Sequence, residues 1–431
     1  MSSSDPIRTE IALQKLVAAY VVTGLLFLLL PGTFLGVWNL VAISAQHTSG
    51  TLSPAWLQAH GQAQIFGWVG TFIIGIGYYS LSKMGGLMPF GVSRGWISWV
   101  LWTSGAALRW VVGVTAFQWR LLLPVSAALE LIAFAIFFAT VSRHKPASGT
   151  AVRKPIDVWM KLVIASTVLF LLVLVVNQVE AIVLATSVAL PEIPHWLDQR
   201  FLFLAGWGFP VLAIWGFNAK WLPVFLGLPQ PSGWKLTGAM WVLLAALAAA
   251  AAGEFRIATV LLLFACIGAA SGLHVFRRPV RPPKTIGVSA SFPLFIRISY
   301  AWLLAAAVLG IFAAAADHHG GIWGASRHAL TVGYIATMIF GIGQRVLPAF
   351  CGMRILYSKT LMGVSLAVLN AGCVLRVASE VPAYEANLRA AWTVLPISAI
   401  AELTAVTVFA LNLAITLVLP PPVPARRDLS H

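Results

Sequence analysis

The feature that most limits what this chain can become is a near-continuous succession of apolar runs of about 20 residues, separated by short polar connections. A run of that length crosses a hydrocarbon core of about 30 Å as an α-helix. Within lipid, helices satisfy every backbone donor and acceptor inside their own segment. Of the 431 residues, 59% are hydrophobic and only 10% charged, where soluble domains have roughly a quarter charged. The windows predict spans near 14–42, 56–82, 94–116, 121–141, 158–187, 196–219, 236–253, 256–276, 294–315, 323–350, 360–379 and 392–419. The first run follows Arg8 and Lys15, is too long for a signal-peptide core and lacks a small-residue cleavage pattern, so it is expected to stay as the first helix. The fold class is therefore all-α: a polytopic membrane protein of about twelve transmembrane helices.

A net charge of +15 is compatible with nucleic-acid binding, but the positions of the charges argue against such a partner. The basic connections hold Lys83 and Arg94, Arg143 to Lys161, Lys220 and Lys235, Arg277 to Lys284, Arg354 and Lys359, and the Arg426-Arg427 tail. The alternate connections are neutral or acidic: 43–59 has no Lys or Arg, Glu192 and Asp198 lie at the approach to the sixth helix and its first turn, and Glu380 and Glu385 are expected in the loop after the eleventh. The positive-inside rule then places both termini in the cytoplasm, and lipid is the expected surrounding partner. Cys266, Cys351 and Cys373 fall within or at the ends of spans and form no disulfide or thiolate-metal pattern.

Short strings recur at matching places and predict three pseudo-repeated four-helix units, 1–150, 151–290 and 291–431, within one membrane domain. Helix 2 opens with Pro54-Ala-Trp56-Leu-Gln-Ala-His60 and helix 6 with Pro194-His-Trp196-Leu-Asp-Gln-Arg200, with a looser version, Trp323-Gly-Ala-Ser-Arg-His328, in helix 10. Leu108-Arg109 matches Leu375-Arg376. Leu123-Pro-Val-Ser-Ala-Ala-Leu-Glu130 aligns without a gap with Leu395-Pro-Ile-Ser-Ala-Ile-Ala-Glu402.

The first and third units thus share a set of ionisable residues, His60, Arg109 and Glu130 against His328, Arg376 and Glu402, each within about two turns of the same end of its helix. Such groups are costly against lipid and point to the bundle interior and to function. Two histidines on separate helices at matched depth suit a bis-imidazole haem, since axial ligands approach iron from opposite faces. Any such haem would be non-covalent, a haem b, because no CxxCH string occurs. Arg109 and Arg376 have the planar fork that pairs with propionates, while Glu130 and Glu402 can orient an imidazole or pass protons. The structural alternatives remain open: capping histidines, snorkelling arginines, or plain Arg–Glu pairs. Asp317-His318-His319 precedes helix 10, on the same side as His47 and His195, and adjacent histidines can ligate copper or zinc; a solvated loop is the alternative. His144, His274 and His431 lie on the other side. Most of the 18 Trp fall near helix ends, as aromatic belts do, and the Gly-rich stretches 67–77 and 333–343 read as close helix packing. No Walker or dinucleotide motif occurs.

The string His328-Ala-Leu-Thr-Val-Gly-Tyr-Ile-Ala-Thr-Met-Ile-Phe-Gly resembles a helix of the NnrS family, bacterial membrane proteins associated with haem, copper and nitric oxide. His60-Gly-Gln-Ala-Gln-Ile-Phe-Gly resembles both NnrS and subunit I of haem-copper oxidases. The resemblance implies twelve helices in three units, a bacterial inner-membrane location, and one low-spin haem between His60 and His328. It also implies a redox or nitric-oxide-related role with nitric oxide or a redox protein as partner. Helix 6 lacks the His-x-x-x-Tyr motif of the oxidases, helix 7 lacks their His pair, and helix 10 has one histidine where they have two, so no oxygen-reducing copper–haem centre is expected. The alternative function, from another class, is a transporter or channel that uses the Arg and Glu residues for an anion or for protons.

Overall fold

A computed structural model describes residues 6–48, 50, 52–84, 92–142, 156–187 and 190–419, and among them it is all-helical, with no strand. Twelve helices follow one another: α1 (Ile7–Gln46), α2 (54–84), α3 (Val92–Thr115), α4 (Trp119–Ser142), α5 (Val158–Ser187), α6 (His195–Phe225), α7 (Gly233–Ala252), α8 (Phe255–Gly272), α9 (Phe292–Ala316), α10 (Gly321–Phe350), α11 (Lys359–Ala386) and α12 (Arg389–Val418). All but α2 are long and apolar enough to cross a membrane. α2 is of comparable length; its first half carries Gln58, His60, Gln62 and Gln64, and 65–82 has no charged residue. The chain is a multi-pass membrane protein. With an even number of helices, α1 begins and α12 ends at the same end of the bundle; the opposite, distal end carries the α1–α2, α3–α4, α5–α6, α7–α8, α9–α10 and α11–α12 turns. His144, His431, Arg426, Arg427 and most of the basic stretch after Arg143 lie outside the described residues.

Three boundaries differ from expectation in ways that matter. α1 starts about two turns earlier than residue 14. α6 continues beyond residue 219 to Phe225. α11 runs on to Ala386 although Pro382 lies inside it, so Glu380 is not in a loop as expected but in a buried helical turn, paired with Arg376 one turn earlier. An i,i+4 ion pair of this kind holds the turn that the proline weakens.

The membrane helices nearest the predicted site are irregular. Widened π turns occupy Leu28–Phe34 around Pro31 in α1, Ala63–Gly70 in α2 and Ala329–Ala336 in α10. α6 breaks at Gly208, whose ψ of −102° leaves the helical region just before Pro210. In a π turn the carbonyls are spaced for i→i+5 bonds, and a threonine closes each of the two later segments. Thr71 Oγ1 donates to Gly67 O at 2.5 Å, and Thr337 Oγ1 to Val332 O at 3.3 Å. Their hydroxyls also tie in neighbours, Trp102 Nε1 on Thr71 at 2.8 Å and Asn370 Nδ2 on Thr337 at 3.2 Å.

The hairpins α3–α4 and α11–α12 are built alike. Gly105 is four residues before Arg109, and Gly372 four before Arg376. A Cβ on Gly105 would lie 2.9 Å from Glu130 Cγ and 2.9 Å from Ser126 O; on Gly372 it would lie 2.9 Å from Glu402 Cγ and 3.2 Å from Ser398 O. Both second helices contain a proline, Pro124 and Pro396. Ser126 and Ser398, two residues on, donate to Leu123 O at 2.7 Å and Leu395 O at 2.6 Å. The absent side chain at each glycine is what lets a glutamate stem press against the neighbouring backbone.

Candidate functional site

His60 projects from the second turn of α2 towards α1. Its Nδ1 lies 2.8 Å from Gly32 O, inside the π turn of α1, and Gly36 leaves the room: a Cβ there would lie 2.5 Å from His60 Cε1. Gly32 O also accepts the Leu35 backbone N–H at the end of the widened turn, so the imidazole takes the second lone pair of that carbonyl. On α10, His328 Nδ1 lies 2.9 Å from Gly324 O, one turn earlier, and 3.1 Å from Glu380 Oε2 on α11. A carbonyl only accepts, so Nδ1 carries the proton in each ring and Nε2 keeps its lone pair. Neither Nε2 has a hydrogen bond among the described residues. The two rings lie close enough to act on one another electrostatically, and Arg376 acts on His60 as well. The His328 side chain keeps 26% of its surface accessible although α10 is among the most buried helices.

Around the histidines the charges are ordered. Arg376 Nη2 donates to Glu380 Oε1 at 3.1 Å, and the other Glu380 oxygen faces His328. Arg376 Nε and Nη1 have no partner in the buried interior, which leaves two donors for an anionic group. Glu402 interacts electrostatically with His328, Arg376 and Glu380, so α12 closes the same cluster. Arg327, next to His328, donates to Gln199 on α6 and feels Asp198, Glu380 and Asp317. The alternative of a plain pair between Arg376 and Glu402 is not the contact that forms; the ion pair is with Glu380. Its i,i+4 spacing from Arg376 was visible in the sequence and was masked by its placement in a loop.

Arg109 and Glu130 do not join this cluster. They lie between α3, α4 and α5 with Asn177 and Glu180, all four buried. Asn177 Nδ2 donates to Glu130 Oε2 at 3.1 Å, and Arg109 acts electrostatically on both Glu130 and Glu180. The structure thus splits the six residues into His60, His328, Arg376 and Glu402 on one side, and Arg109 and Glu130 on the other. Asn177 and Glu180 were not singled out beforehand; a carboxylate inside an otherwise apolar 30-residue run was the signal.

The loop before α10 is ordered by its carboxylates rather than by its histidines. Glu385 accepts the backbone N–H groups of His318, His319 and Gly321, and Asp317 caps Gly320 and Trp323. No three His, Cys, Asp or Glu side chains converge among the described residues, at His318 and His319 or elsewhere. His47 stacks on Trp392. Not all tryptophans form belts: Trp102 and Trp215 are fully buried in the bundle. Trp38, Trp56, Trp99 and Trp110 line an open apolar groove of about 830 Å³ between α1, α2 and α3, beside Pro31 and Phe34 of the π turn that serves His60.

Among solved structures, the chain is similar in fold to a haem-copper terminal oxidase determined as a dimer by cryo-EM. The TM-score is 0.68 at 11% identity over 96% of this chain and 85% of that one. The likeness establishes a haem-copper-oxidase-like fold. No curated protein matches the chain. A family model described as a domain of unknown function, DUF8744, matches residues 156–415, well over half of the sequence, and the chain belongs to that family.

Proposed function

We propose that this protein is a membrane haem protein that holds one b-type haem between His60 and His328 and passes electrons through it. The observation that carries the reading is the state of the two imidazoles. Both are anchored through Nδ1 to a backbone carbonyl, at 2.8 and 2.9 Å, and both leave Nε2 unengaged, as an axial ligand requires. The residues present therefore fit the group. Arg376, with two free donors in the interior, suits a propionate. The oxidase-like fold and the His328–Gly341 string that resembles NnrS also support the reading.

When bound, haem supplies a one-electron couple. The chain's own residues do the rest. Gly32 O and Gly324 O fix the tautomer and the plane of each ring, and Glu380 places a carboxylate oxygen 3.1 Å from His328 Nδ1, which helps to hold that ring in place. Arg376 balances Glu380 and keeps positive charge beside the pair. His60 and His328 would together hold the haem iron, and with both imidazoles committed the group would serve electron transfer rather than capture of a diatomic ligand. A nitric-oxide-related role requires one histidine to give way.

The test is an optical spectrum of the purified protein, oxidised and dithionite-reduced, beside His60→Ala and His328→Ala. A six-coordinate b-type spectrum in the wild type, lost in both variants, is expected. A colourless protein after haem-supplemented expression sinks the reading.

A further inference from the structure

We propose that the buried cluster of Arg109, Glu130, Asn177 and Glu180 is a proton-binding site, with the proton on Glu180, exchanged with the aqueous phase at the distal end through Asp198. Charge count is the first argument. One guanidinium faces two carboxylates in a membrane-spanning part of the bundle, with Arg109 6%, Glu130 1%, Asn177 0% and Glu180 4% exposed. Fully ionised, the cluster holds one uncompensated negative charge, which costs several kcal/mol in such a medium. Binding one proton to one carboxylate removes it.

Unmatched polar atoms are the second and independent argument. Neither oxygen of Glu180 has a partner, and Glu130 Oε1, Asn177 Oδ1 and Arg109 Nη1 are also unpartnered, all in the buried interior. Glu130 differs in accepting the Asn177 amide on Oε2 at 3.1 Å, a bond that favours its ionised form. Glu180, with two bare oxygens, is the one that gains from carrying a proton. No ion pair within 4.0 Å joins Arg109 to either carboxylate among the described residues, so the guanidinium serves both across a gap.

The charged groups facing Glu180 define a route. On α3 there is Arg109, and on α6 Asp198. Glu130 of α4 lies beyond Arg109, and Arg120 at the start of α4 caps Ala185 O at 3.1 Å above it on α5. Asp198 is half-buried and interacts with His195, an exposed residue at the distal end, and with Arg327. Exposure thus rises from Glu180 through Asp198 to His195. The step is a plain transfer: a proton from water at that end protonates the Glu180 carboxylate, and the reverse returns it.

Infrared titration of the purified full chain, with H/D exchange to identify the carbonyl stretch of protonated carboxylic acids, tests this without reference to haem. The expected wild-type band has the amplitude of one carboxyl above that of Glu180→Gln and bleaches as pH rises. Glu130→Gln should lose the same band, because Arg109 then serves Glu180 alone, whereas Arg109→Gln should gain amplitude. A band unchanged in Glu180→Gln overturns the proposal. Should that variant fail to fold, Asp198→Asn decides. Removing a neighbouring negative charge eases ionisation, so the midpoint must move to lower pH, and an unmoved midpoint overturns the proposal as well. A colourless protein with the expected band would reject the haem reading and leave this one standing.

Discussion

The α11–α12 and α3–α4 hairpins share a frame and differ in chemistry. Each has a glycine four residues before an arginine, and each presses a glutamate against that glycine with a serine closing the turn below a proline. What differs is what comes from outside the hairpin. Histidines on α10 and α2 meet the first, together with Glu380 in its own helix; an asparagine and a glutamate on α5 meet the second. In the first, Arg376 has a carboxylate at 3.1 Å; in the second, Arg109 has none in contact. A shared frame therefore sets depth and orientation, and the helices from outside the hairpin decide which side chains meet it.

The comparison breaks most visibly in colour. His328→Ala should abolish the haem spectrum, whereas Arg109→Gln should leave it intact; loss of the spectrum in both would mean a single site. Next in size is Glu380→Ala. It leaves the Arg376 guanidinium buried without its ion-pair partner, and a cost of about 3–5 kcal/mol is expected in denaturant unfolding in detergent. Glu180→Gln, which breaks no contact, should cost far less in the same assay. Asn177→Leu should cost about 1.5–3 kcal/mol, since it strips a buried carboxylate, Glu130, of its hydrogen bond, with no change in haem content. Gly105→Ala and Gly372→Ala should each lose about 1–3 kcal/mol through overpacking against a glutamate stem. Unequal costs would show that the two hairpins are not built alike.

Much of this was legible in the residues. Twelve apolar runs announce twelve helices, and the ends move by only a turn or two because lipid, not loop packing, dictates length. His60 and His328 stood out because an imidazole is rare in such runs. Less legible was the separation of Arg109 and Glu130 from the histidines, since matched depth along a helix says nothing about which neighbouring helices a residue faces. Glu380 was lost to a loop because Pro382 and Glu385 nearby read as a helix end. The π turns left only weak traces, Pro31 in α1 and the glycines of 67–77, because a widened turn is a property of backbone spacing rather than of composition.

Those widened turns have a consequence for how the chain tolerates change in length. In a regular membrane helix, deleting one residue rotates everything beyond it by about 100° and turns interior side chains to lipid. A π turn already holds a surplus residue, so removing one within Ala63–Gly70 or Ala329–Ala336 would tighten it to an α turn and leave both halves of the helix in phase. Relatives of this protein should therefore differ by single residues just after His60 and His328, and keep strict length elsewhere in α2 and α10.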